Sequence, residues 1–427
     1  MVSPKPLLLV FPFGLLSHYL RCLMLCRYFS EYFEIRVAYH SSFDTFIEKE
    51  QLTTFHCKAL NPGSAIQGLK KMDFSWLSET ALEEVYLDQV SVIKKYQPAA
   101  ILGDHSPTLK MAAESTSVIF ISLLNGYISK YYAGQRSISG THAVYPFLKM
   151  LPRSLEIWLT KFGEASAFRM IHKPFKRIRD RYKLQKLNTY LDELEGDLNL
   201  VCDLEYLFPQ KKLPSTYHVI TPLFYESPVT VHPHSFIRDQ TKKTIWASMG
   251  STGDWQNIAF LNDPFFEKYN VVATGDDKRV LHAKHITHLQ FINIHELLPL
   301  TDLVICHGGN GTISQALLYR IPVLCKTSHC EQEWNIDALE KKHLGKTLDR
   351  IKDLQQYKIM VEEWIVKKGN DSLKLCSEKI EEARIHLPQT IKQVAENILM
   401  DLSRFEKIGF PLGAVGNSYN PVYDSIS

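Results

Sequence analysis

The sequence predicts an α/β protein built on two doubly wound parallel sheets, each with its own hydrophobic core. The first observation is the length, because 427 residues exceed one ordinary core and fit two domains of about 200 residues. The second is an alternation of short apolar runs and amphipathic stretches in both halves, which is typical of parallel sheets covered by helices. The third is residues 207–243, which contain five prolines and no periodicity and therefore indicate a boundary.

The first half opens with an apolar run at residues 7–11. We expect a buried strand there and not a signal peptide, because the run is short and lacks both a basic flank and a small-residue cleavage pattern. The elements that follow are predicted to be a helix at 19–32, a strand at 35–39, a helix at 82–96, a strand at 99–103, a helix at 108–115 and a strand at 118–123.

Two loops of this half are candidates for a site, since ligands of parallel sheets lie at the carboxyl ends of the strands. His18 follows the first strand, and Asp104 and His105 follow the strand at 99–103. A histidine whose tautomer is held by a carboxylate can act as a general base. The sequence therefore predicts a base made from His18 and Asp104, with His105 as the rival base.

The second half repeats the alternation, with strands predicted at 244–249, 271–274, 303–306 and 323–326. A glycine-rich loop, His307–Thr312, follows the third of these strands, and a helical pattern opens at Thr312. Such a loop brings backbone N–H groups close to a phosphate, and the helix dipole favours the phosphate charge. This half is therefore expected to bind an anionic ligand.

The order of residues around this loop resembles the donor-binding signature of family 1 glycosyltransferases, the UDP-glycosyltransferase and macrolide type, which have the GT-B fold. The matching residues are His307, Gly308, Gly309, Gly311, Thr312, Ala316, Leu317, Pro322, Glu331, Gln332 and Asn335. The resemblance is strong over residues 240–350 and covers the first half only in outline.

The resemblance implies two Rossmann-like domains that face each other across a cleft. The expected parts are an acceptor-binding domain at 1–222, a linker at 223–243, a donor-binding domain at 244–388, and at 389–427 a C-terminal helix, which can pack back on the first domain, followed by a tail. The implied activity is transfer of a hexose from a nucleotide sugar, UDP-glucose above all, to a hydroxyl of a small apolar acceptor such as a natural product. The implied transfer inverts the anomeric carbon, with His18 as the general base and Asp104 as its partner.

The donor-binding residues that the resemblance implies are Ser251, Phe291, Ile292, His307, Gly309, Asn310, Gly311, Thr312, Gln315, Glu331 and Gln332. The chain contains no Asp-x-Asp pattern, so we expect transfer without a metal and without a cofactor beyond the co-substrate.

Gln315, Phe291 and Arg320 are among the positions that depart from the family pattern. Gln315 replaces the Glu that usually accepts from the ribose hydroxyls, and the loss of charge weakens that contact by ~1 kcal/mol. A dTDP-sugar therefore stays possible beside a UDP-sugar. Phe291 stands where Trp is common, which leaves the base contact open. Arg320 replaces a Gly at the end of the loop helix, where left-handed geometry costs a non-glycine residue ~1 kcal/mol.

Composition narrows the class of partner. A net charge of +3, from 49 basic and 46 acidic residues, gives no electrostatic case for nucleic acid. Eight cysteines without paired spacing, and no apolar run long enough for a membrane helix, favour a cytoplasmic protein. Residues 173–183 carry six cations and one anion, together with Phe175, Ile178 and Tyr182. This stretch is either a solvated helix face or a contact with an anionic membrane.

Two alternatives stay open at this stage. One is a lipid or sterol glycosyltransferase that works at a membrane surface, and the other is a nucleotide-sugar-binding or accessory protein without turnover. The sequence leaves the acceptor, the sugar and the oligomeric state undetermined.

Overall fold

The computed structural model describes residues 4–138, 144–225, 239–250, 252–275, 279–289 and 292–407. Two sheets of parallel strands, one in each half of the chain, organise these residues. The expected class, α/β with two Rossmann-like halves, is confirmed.

The first sheet has the strand order β3-β2-β1-β4-β5-β6-β7. Its strands are β1 (Leu7–Pro12), β2 (Glu34–Ala38), β3 (Thr53–Phe55), β4 (Ala100–Asp104), β5 (Ile119–Leu124), β6 (Leu198–Cys202) and β7 (Tyr217–Ile220). The four strands expected here agree with the structure to within one residue at each end; β1, β4 and β5 are short apolar runs that are almost fully buried, and β2 alternates buried and more exposed residues.

The second sheet has the order β10-β9-β8-β11-β12-β13. Its strands are β8 (Thr244–Ser248), β9 (Asn270–Thr274), β10 (Ile286–Leu289), β11 (Leu303–Cys306), β12 (Val323–Cys325) and β13 (Gly345–Thr347). In both sheets the strand order reverses beside the first strand of the half. A crevice therefore opens at the carboxyl ends of β1 and β4, and a second at those of β8 and β11.

Eight helices of the described chain belong to the first half. They are α1 (Leu16–Phe29), α2 (Asp44–Lys49), α3 (Pro62–Lys71), α4 (Glu79–Tyr96), α5 (Leu109–Thr116), α6 (Tyr145–Lys149), α7 (Arg153–Tyr182) and α8 (Tyr190–Glu193). Helix α4 shows how a capping side chain and the spacing of apolar residues define a helix in this chain. The Ser78 side chain accepts from the Ala81 N–H at its start, and the residues it buries, among them Leu82, Val85 and Ile93, recur at helical spacing.

The second half contains α9 (Ile294–Leu297), α10 (Asn310–Leu318), α11 (Cys330–Lys341), α12 (Leu354–Ile365) and α13 (Asp371–Lys407), with short 3₁₀ helices at Trp255–Asn262, Pro264–Lys268 and Leu298–Leu300. Helix α13 contacts both halves. Its first part packs in one core with α10, through Leu373 and Ile380. Its second part, through Leu387 and Ile391, lies in a core that belongs otherwise to the first half. The helix is longer than the sequence indicated, and it continues through Pro388.

The basic stretch 173–183 does not offer an apolar face. Phe175 and Ile178 are fully buried, so the suggestion that they rest on a membrane is wrong. Arg179 is buried and bonded to Glu193, and Arg181 pairs with acidic residues of α4. Within the described ranges, no helix combines the length and hydropathy of a membrane span.

Candidate active site

The predicted general base, His18, and its carboxylate partner, Asp104, lie where β1 and β4 run side by side. The register places Pro12 opposite Asp104, and the chain then enters α1, whose first turn carries His18. His18 Nδ1 lies 2.9 Å from Asp104 Oδ1, and Asp104 is fully buried. The two residues are therefore brought together in the geometry of a histidine oriented by a carboxylate.

Arg21, which sequence reasoning missed, also binds Asp104. Its Nη2 donates to Oδ1 at 2.6 Å, and its Nε donates to Oδ2 at 3.0 Å. Burial by itself would raise the pKa of Asp104, but the charges of Arg21 and His18 outweigh it and lower the pKa to about 2. The available signal was an arginine three residues after His18 on the same face of a mostly apolar helix.

His105, the rival base, lies against His18 with ring centroids 5.5 Å apart. Its backbone is left-handed, with φ at 52°, and its Nδ1 is buried without a hydrogen-bond partner among the described residues. Burial, followed by the charge of His18, lowers the pKa of His105 to about 3. Since Asp104 is bonded to His18, the geometry favours His18 as the base.

These three side chains also raise the question of a metal. His18, Asp104 and His105 each offer a ligand atom, and these atoms lie within 4.8 Å of one another. Both oxygens of Asp104, however, already accept hydrogen bonds from Arg21. A divalent cation would have to displace that guanidinium or sit beside its charge, so the cluster is better suited to proton transfer than to metal binding.

The glycine-rich loop lies at the end of β11. Gly309 is the N-cap of α10, and the helix begins at Asn310, so the expected start at Thr312 is wrong. The first helical bond runs from the Ile313 N–H to the Gly309 carbonyl at 3.1 Å. The N–H groups of residues 310–312 precede that bond, and they are therefore available to an anion.

His307 is enclosed by glycines of two loops. A Cβ on Gly250 would lie 2.6 Å from its ring, and a Cβ on Gly309 would overlap it. Gly250 and Gly308 have φ values of +53° and +92°, which glycine adopts without strain. Burial lowers the pKa of His307 to about 4, and Nδ1 is buried without a partner among the described residues. At neutral pH this imidazole is therefore uncharged, and its buried Nδ1 has a hydrogen-bonding capacity that no described residue uses.

Helix α11 carries the expected sugar-binding pair, but its two members differ. The Gln332 side chain is buried, donates to Thr252 Oγ1 at 3.1 Å and accepts from the Ser328 N–H at 2.7 Å. Asn335 donates to the Gly308 carbonyl at 2.9 Å. Gln332 and Asn335 therefore stabilise the donor loops, whereas Glu331 points across the cleft towards the first half.

Glu331 is the end of a chain of hydrogen bonds that reaches the base. The Tyr127 hydroxyl donates to Glu331 Oε2 over a long 3.4 Å, and the Asn125 amide donates to the Tyr127 oxygen. Arg21 in turn donates to Asn125 Oδ1 and to Asp104. Burial raises the pKa of Glu331, while the charge of His18 opposes the shift. Asn125 and Tyr127 follow β5 and gave no recognisable signal in the sequence.

The remaining expected residues lie as follows. Asn310 crosses the cleft, and its amide donates to Asp203 Oδ1 at 3.0 Å. Gln315 is half-buried on α10, and Ile292 is buried. Ser251 and Phe291 lie outside the described residues, so their roles stay predictions. Arg320 has φ at 58°, which is the left-handed geometry that its position implied.

An apolar pocket opens in the first half beside His18. Its lining includes Phe13, Tyr39, His40 and Leu60. Phe13 also packs edge-on against the His18 ring, with centroids 5.8 Å apart. Phe13 therefore borders both the pocket and the candidate base, and His18 itself does not line the pocket.

The two Rossmann-like halves and the cleft between them define the GT-B fold. Known structures agree. The calicheamicin glycosyltransferase CalG4 superposes with a TM-score of 0.65 at 12% identity, covering 94% of this chain and 99% of CalG4. The glycosyltransferase VinC, solved in complex with dTDP, superposes with a TM-score of 0.61 at 15% identity, covering 92% of this chain and all of VinC.

Sequence comparison points to the same group of proteins. A PGL/p-HBAD biosynthesis glycosyltransferase of Mycobacterium tuberculosis is 24% identical over 266 residues, which are 60% of this chain and 60% of the relative. No protein-family model matches the chain. The resemblance to family 1 glycosyltransferases is thus confirmed at the level of the GT-B fold, in the form that natural-product glycosyltransferases share.

Proposed function

We propose that this protein is a glycosyltransferase that moves a hexose from a nucleotide sugar to a hydroxyl of a small apolar acceptor, inverting the anomeric carbon without a metal. One observation carries the proposal: the His18–Asp104 pair and the glycine-rich loop at α10 open on the same cleft, with Glu331 between them. Apolar side chains near His18, Phe13 among them, support the acceptor class, and the glycosyltransferase relatives support the reaction class.

The proposed reaction is a single displacement. His18 removes the proton of the acceptor hydroxyl, while Asp104 orients the ring and stabilises the imidazolium that forms. The acceptor oxygen forms its bond to the anomeric carbon as the bond from that carbon to the diphosphate oxygen breaks. The electron pair of the broken bond leaves with the diphosphate, and the proton stays on His18 until solvent or product removes it.

The leaving diphosphate needs groups that stabilise its new charge. The N–H groups of residues 310–312 and the dipole of α10 supply them. His307 adds a hydrogen-bonding ring that is neutral at pH 7, since burial lowers its pKa to about 4. Ser251 and the Thr312 hydroxyl are proposed to bind the same phosphates.

The nucleotide of the donor is proposed to be UDP, with dTDP as the alternative. Gln315 lies where a ribose-binding carboxylate is usual in the family, and an amide distinguishes ribose from deoxyribose less sharply. Binding of dTDP by the structural neighbour VinC supports the alternative. Ile292 and Phe291 are proposed to lie at the base, and Glu331 with Gln332 at the sugar.

Calorimetric titration with UDP and with dTDP tests the donor site. Micromolar binding is expected for one of them, and His307→Ala should weaken it by at least about tenfold, or ~1.4 kcal/mol. His386→Ala, which changes an exposed histidine on α13, is the matched control. If neither nucleotide binds the folded wild-type protein, the enzyme hypothesis is wrong and an accessory role takes its place.

A transfer assay tests the base. His18→Ala should reduce turnover by about 10²–10⁴-fold and leave nucleotide binding intact. The parallel variant His105→Ala separates the two candidate bases, because only the residue that removes the proton should show the large loss. Bound nucleotide sugar with no product from any hydroxyl acceptor and no hydrolysis of the donor, in the wild type and in His18→Ala alike, would favour a binding protein without turnover.

A further inference from the structure

Large apolar side chains concentrate on one exposed surface near α6 and the first half of α7. This surface, here the α7 patch, consists of Val144, Phe147, Met150, Leu155, Trp158, Phe162 and Met170. Phe147 is 70% exposed, Met150 82%, and Trp158 and Phe162 60% each. These seven residues are more than a third of the 17 large apolar side chains exposed in the described chain, yet they lie within 27 consecutive positions. A concentration of this kind marks an interaction surface.

The geometry of α7 explains why the patch faces outward. Thr160, Ile171 and Phe175 lie on the side that packs against the domain and are buried. Leu155, Trp158 and Phe162 recur at three- and four-residue spacing on the opposite side. Trp158 and Phe162 stack with centroids 5.9 Å apart and an interplanar angle of 12°. Leu155, Trp158 and Phe162 therefore form one outer stripe of α7, and Val144, Phe147 and Met150 precede it on α6 and its flanks.

Positive charge surrounds the patch. Residues 144–173 contain five cations, Lys149, Arg153, Lys161, Arg169 and Lys173, and two carboxylates, Glu156 and Glu164. Both carboxylates are already paired, Glu156 with Lys149 at 2.6 Å and Glu164 with Arg136. Within the described ranges, Lys161, Arg169 and Lys173 form no ion pair. The outer stripe thus presents aromatic rings with uncompensated cations beside them.

We propose that the α7 patch docks the protein on an anionic lipid bilayer. The rings of Trp158 and Phe162, with Phe147 and Met150, would enter the interface between head groups and acyl chains, and the lysines and arginines would contact the anionic head groups. Docking of this kind lays the helix on the membrane and does not span it. The proposal deepens the proposed function by giving the acceptor a source, an apolar hydroxyl compound dissolved in the membrane.

The patch is connected to the cleft by Arg136. Its guanidinium donates to Glu164 of α7, to the Tyr127 carbonyl and, at 2.9 Å, to the Ser129 carbonyl. The same loop continues to Ser137, whose carbonyl accepts from Trp334 of α11 at 2.8 Å. A membrane under α7 would therefore lie close to the segment that borders the acceptor side of the cleft.

The composition favours a bilayer over a second copy of the chain. The buried centres of protein interfaces are depleted of lysine, whereas three lysines accompany this patch. Long cationic side chains can extend from an apolar surface to head groups while their stems stay in apolar surroundings. Tryptophan at a lipid interface is common for the same reason, since its ring is apolar and its N–H is polar.

Vesicle co-sedimentation of the full-length protein tests the proposal. At physiological salt we expect binding to vesicles of phosphatidylcholine with about 30% phosphatidylglycerol, and much weaker binding to pure phosphatidylcholine, because the cations supply part of the attraction. The double variant Trp158→Ala/Phe162→Ala should lose at least about tenfold in partition coefficient. The control Ile359→Ala/Ile385→Ala removes two exposed apolar side chains, 53% and 75% exposed, elsewhere on the surface and should bind as the wild type does.

Each other outcome overturns the proposal. The proposal is contradicted directly if the folded wild-type protein binds neither kind of vesicle. A dimer seen by light scattering that the double variant abolishes would mean that a second copy covers the patch. An equal loss of binding in the control pair would assign the effect to general hydrophobicity. Titration with UDP and dTDP on the same samples separates the two proposals, since vesicle binding can persist where nucleotide binding fails, and the reverse.

Discussion

Asp104 accepts hydrogen bonds from Arg21 while His18 lies 2.9 Å away, in a place that excludes water. A carboxylate so placed stays ionised at any working pH, because the cations lower its pKa to about 2 against the effect of burial. The pair is thus prepared for the imidazolium that proton removal creates. The same arrangement makes the contribution of Asp104 to the free energy of unfolding depend on pH.

We expect the charge of Asp104 to stabilise the fold above pH ~4, its ordinary range, and to lose this effect as pH falls towards its folded-state pKa of about 2. The linked free energy is about 2–3 kcal/mol at neutral pH. Asp104→Asn removes it at every pH. Denaturant titrations should therefore show the gap between wild type and variant shrinking by about 1 kcal/mol from pH 7 to pH 3. A gap of constant size would contradict the assignment.

Arg21 is expected to act as a positioning residue, since its guanidinium contacts Asp104, Asn125 and, at 3.2 Å, Nδ1 of His18. Arg21→Met should lower kcat by about 10–100-fold, because His18 loses a fixed partner, while nucleotide affinity stays within about twofold. Arg21→Lys should recover part of the rate, because it keeps the positive charge. The recovery should be incomplete, because lysine cannot make the two parallel hydrogen bonds of a guanidinium. Arg27→Met is the control on the same helix, because Arg27 pairs with Glu50, whereas Arg21 is the arginine that contacts Asp104 and His18. A control that is equally harmful would indicate a general defect of α1.

Tyr127→Phe interrupts the hydrogen bonds between Asn125 and Glu331. Burial raises the pKa of Tyr127 far above its ordinary value, so its hydroxyl is a donor at any accessible pH. We expect a loss of about 1–2 kcal/mol in unfolding free energy, because the Asn125 amide is left buried without its acceptor. Affinity should fall several-fold for the nucleotide sugar and not for the free nucleotide. Tyr132→Phe, in the same loop, is the comparison, and equal effects on both ligands would refute a link to the sugar.

At the scale of the element, the end of α10 stores a small strain. Arg320 adopts φ at 58°, and the Ile321 N–H returns to the Ala316 carbonyl at 3.0 Å, the pattern of a helix that ends in a left-handed residue. Arg320→Gly should raise the unfolding free energy by ~1 kcal/mol, whereas Arg320→Ala should not. Thermal unfolding of the two variants checks this. Equal melting temperatures would mean that the strain is relieved elsewhere.

Elements were predictable where one physical signal dominates. β11 was predicted at the residues where it lies, because a short apolar run that ends at a glycine-rich loop indicates a buried strand. The start of α10 was misplaced because Thr312 looks like a cap, whereas Gly309 reaches the capping geometry without a side chain. The burial of Phe175 was missed because the cations around it dominate the composition, and their carboxylate partners on α4 and α8 are distant in sequence.

The site was predictable only in part, for reasons that lie at the scale of the whole molecule. His307 and Glu331 follow from the spacing of a known signature, and His18 and Asp104 from the rule on strand ends. The hydrogen-bonded chain runs from Arg21 on α1 through Asn125 and Tyr127 in the loop after β5 to Glu331 on α11. Each of its residues has an ordinary local context, and only the packing of both halves shows that they meet.

The closed cleft depends on a few polar bonds between the halves. Asn310 donates to Asp203, and Trp334 donates to the Ser137 carbonyl. We expect Asn310→Ala with Trp334→Phe to open the cleft and to raise the radius of gyration without ligand, while α13 keeps the halves joined. Small-angle scattering measures the change, and nucleotide sugar together with an acceptor should reverse part of it, since ligands held in both halves favour closure. An unchanged radius would mean that other contacts, such as α13 and the Tyr127–Glu331 bond, keep the cleft closed.

Because α13 packs in the cores of both halves, it also affects the order in which the domains can fold during synthesis. Leu387, Ile391 and Val394 complete a core whose other members, such as Leu8 and Leu23, left the ribosome hundreds of residues earlier. The core of the first half therefore stays incomplete, with an empty groove in the place of α13, until the second half has been synthesised. Synthesis of α13, and not the emergence of its own strands, is the event that completes the first domain, and until then the groove exposes apolar surface.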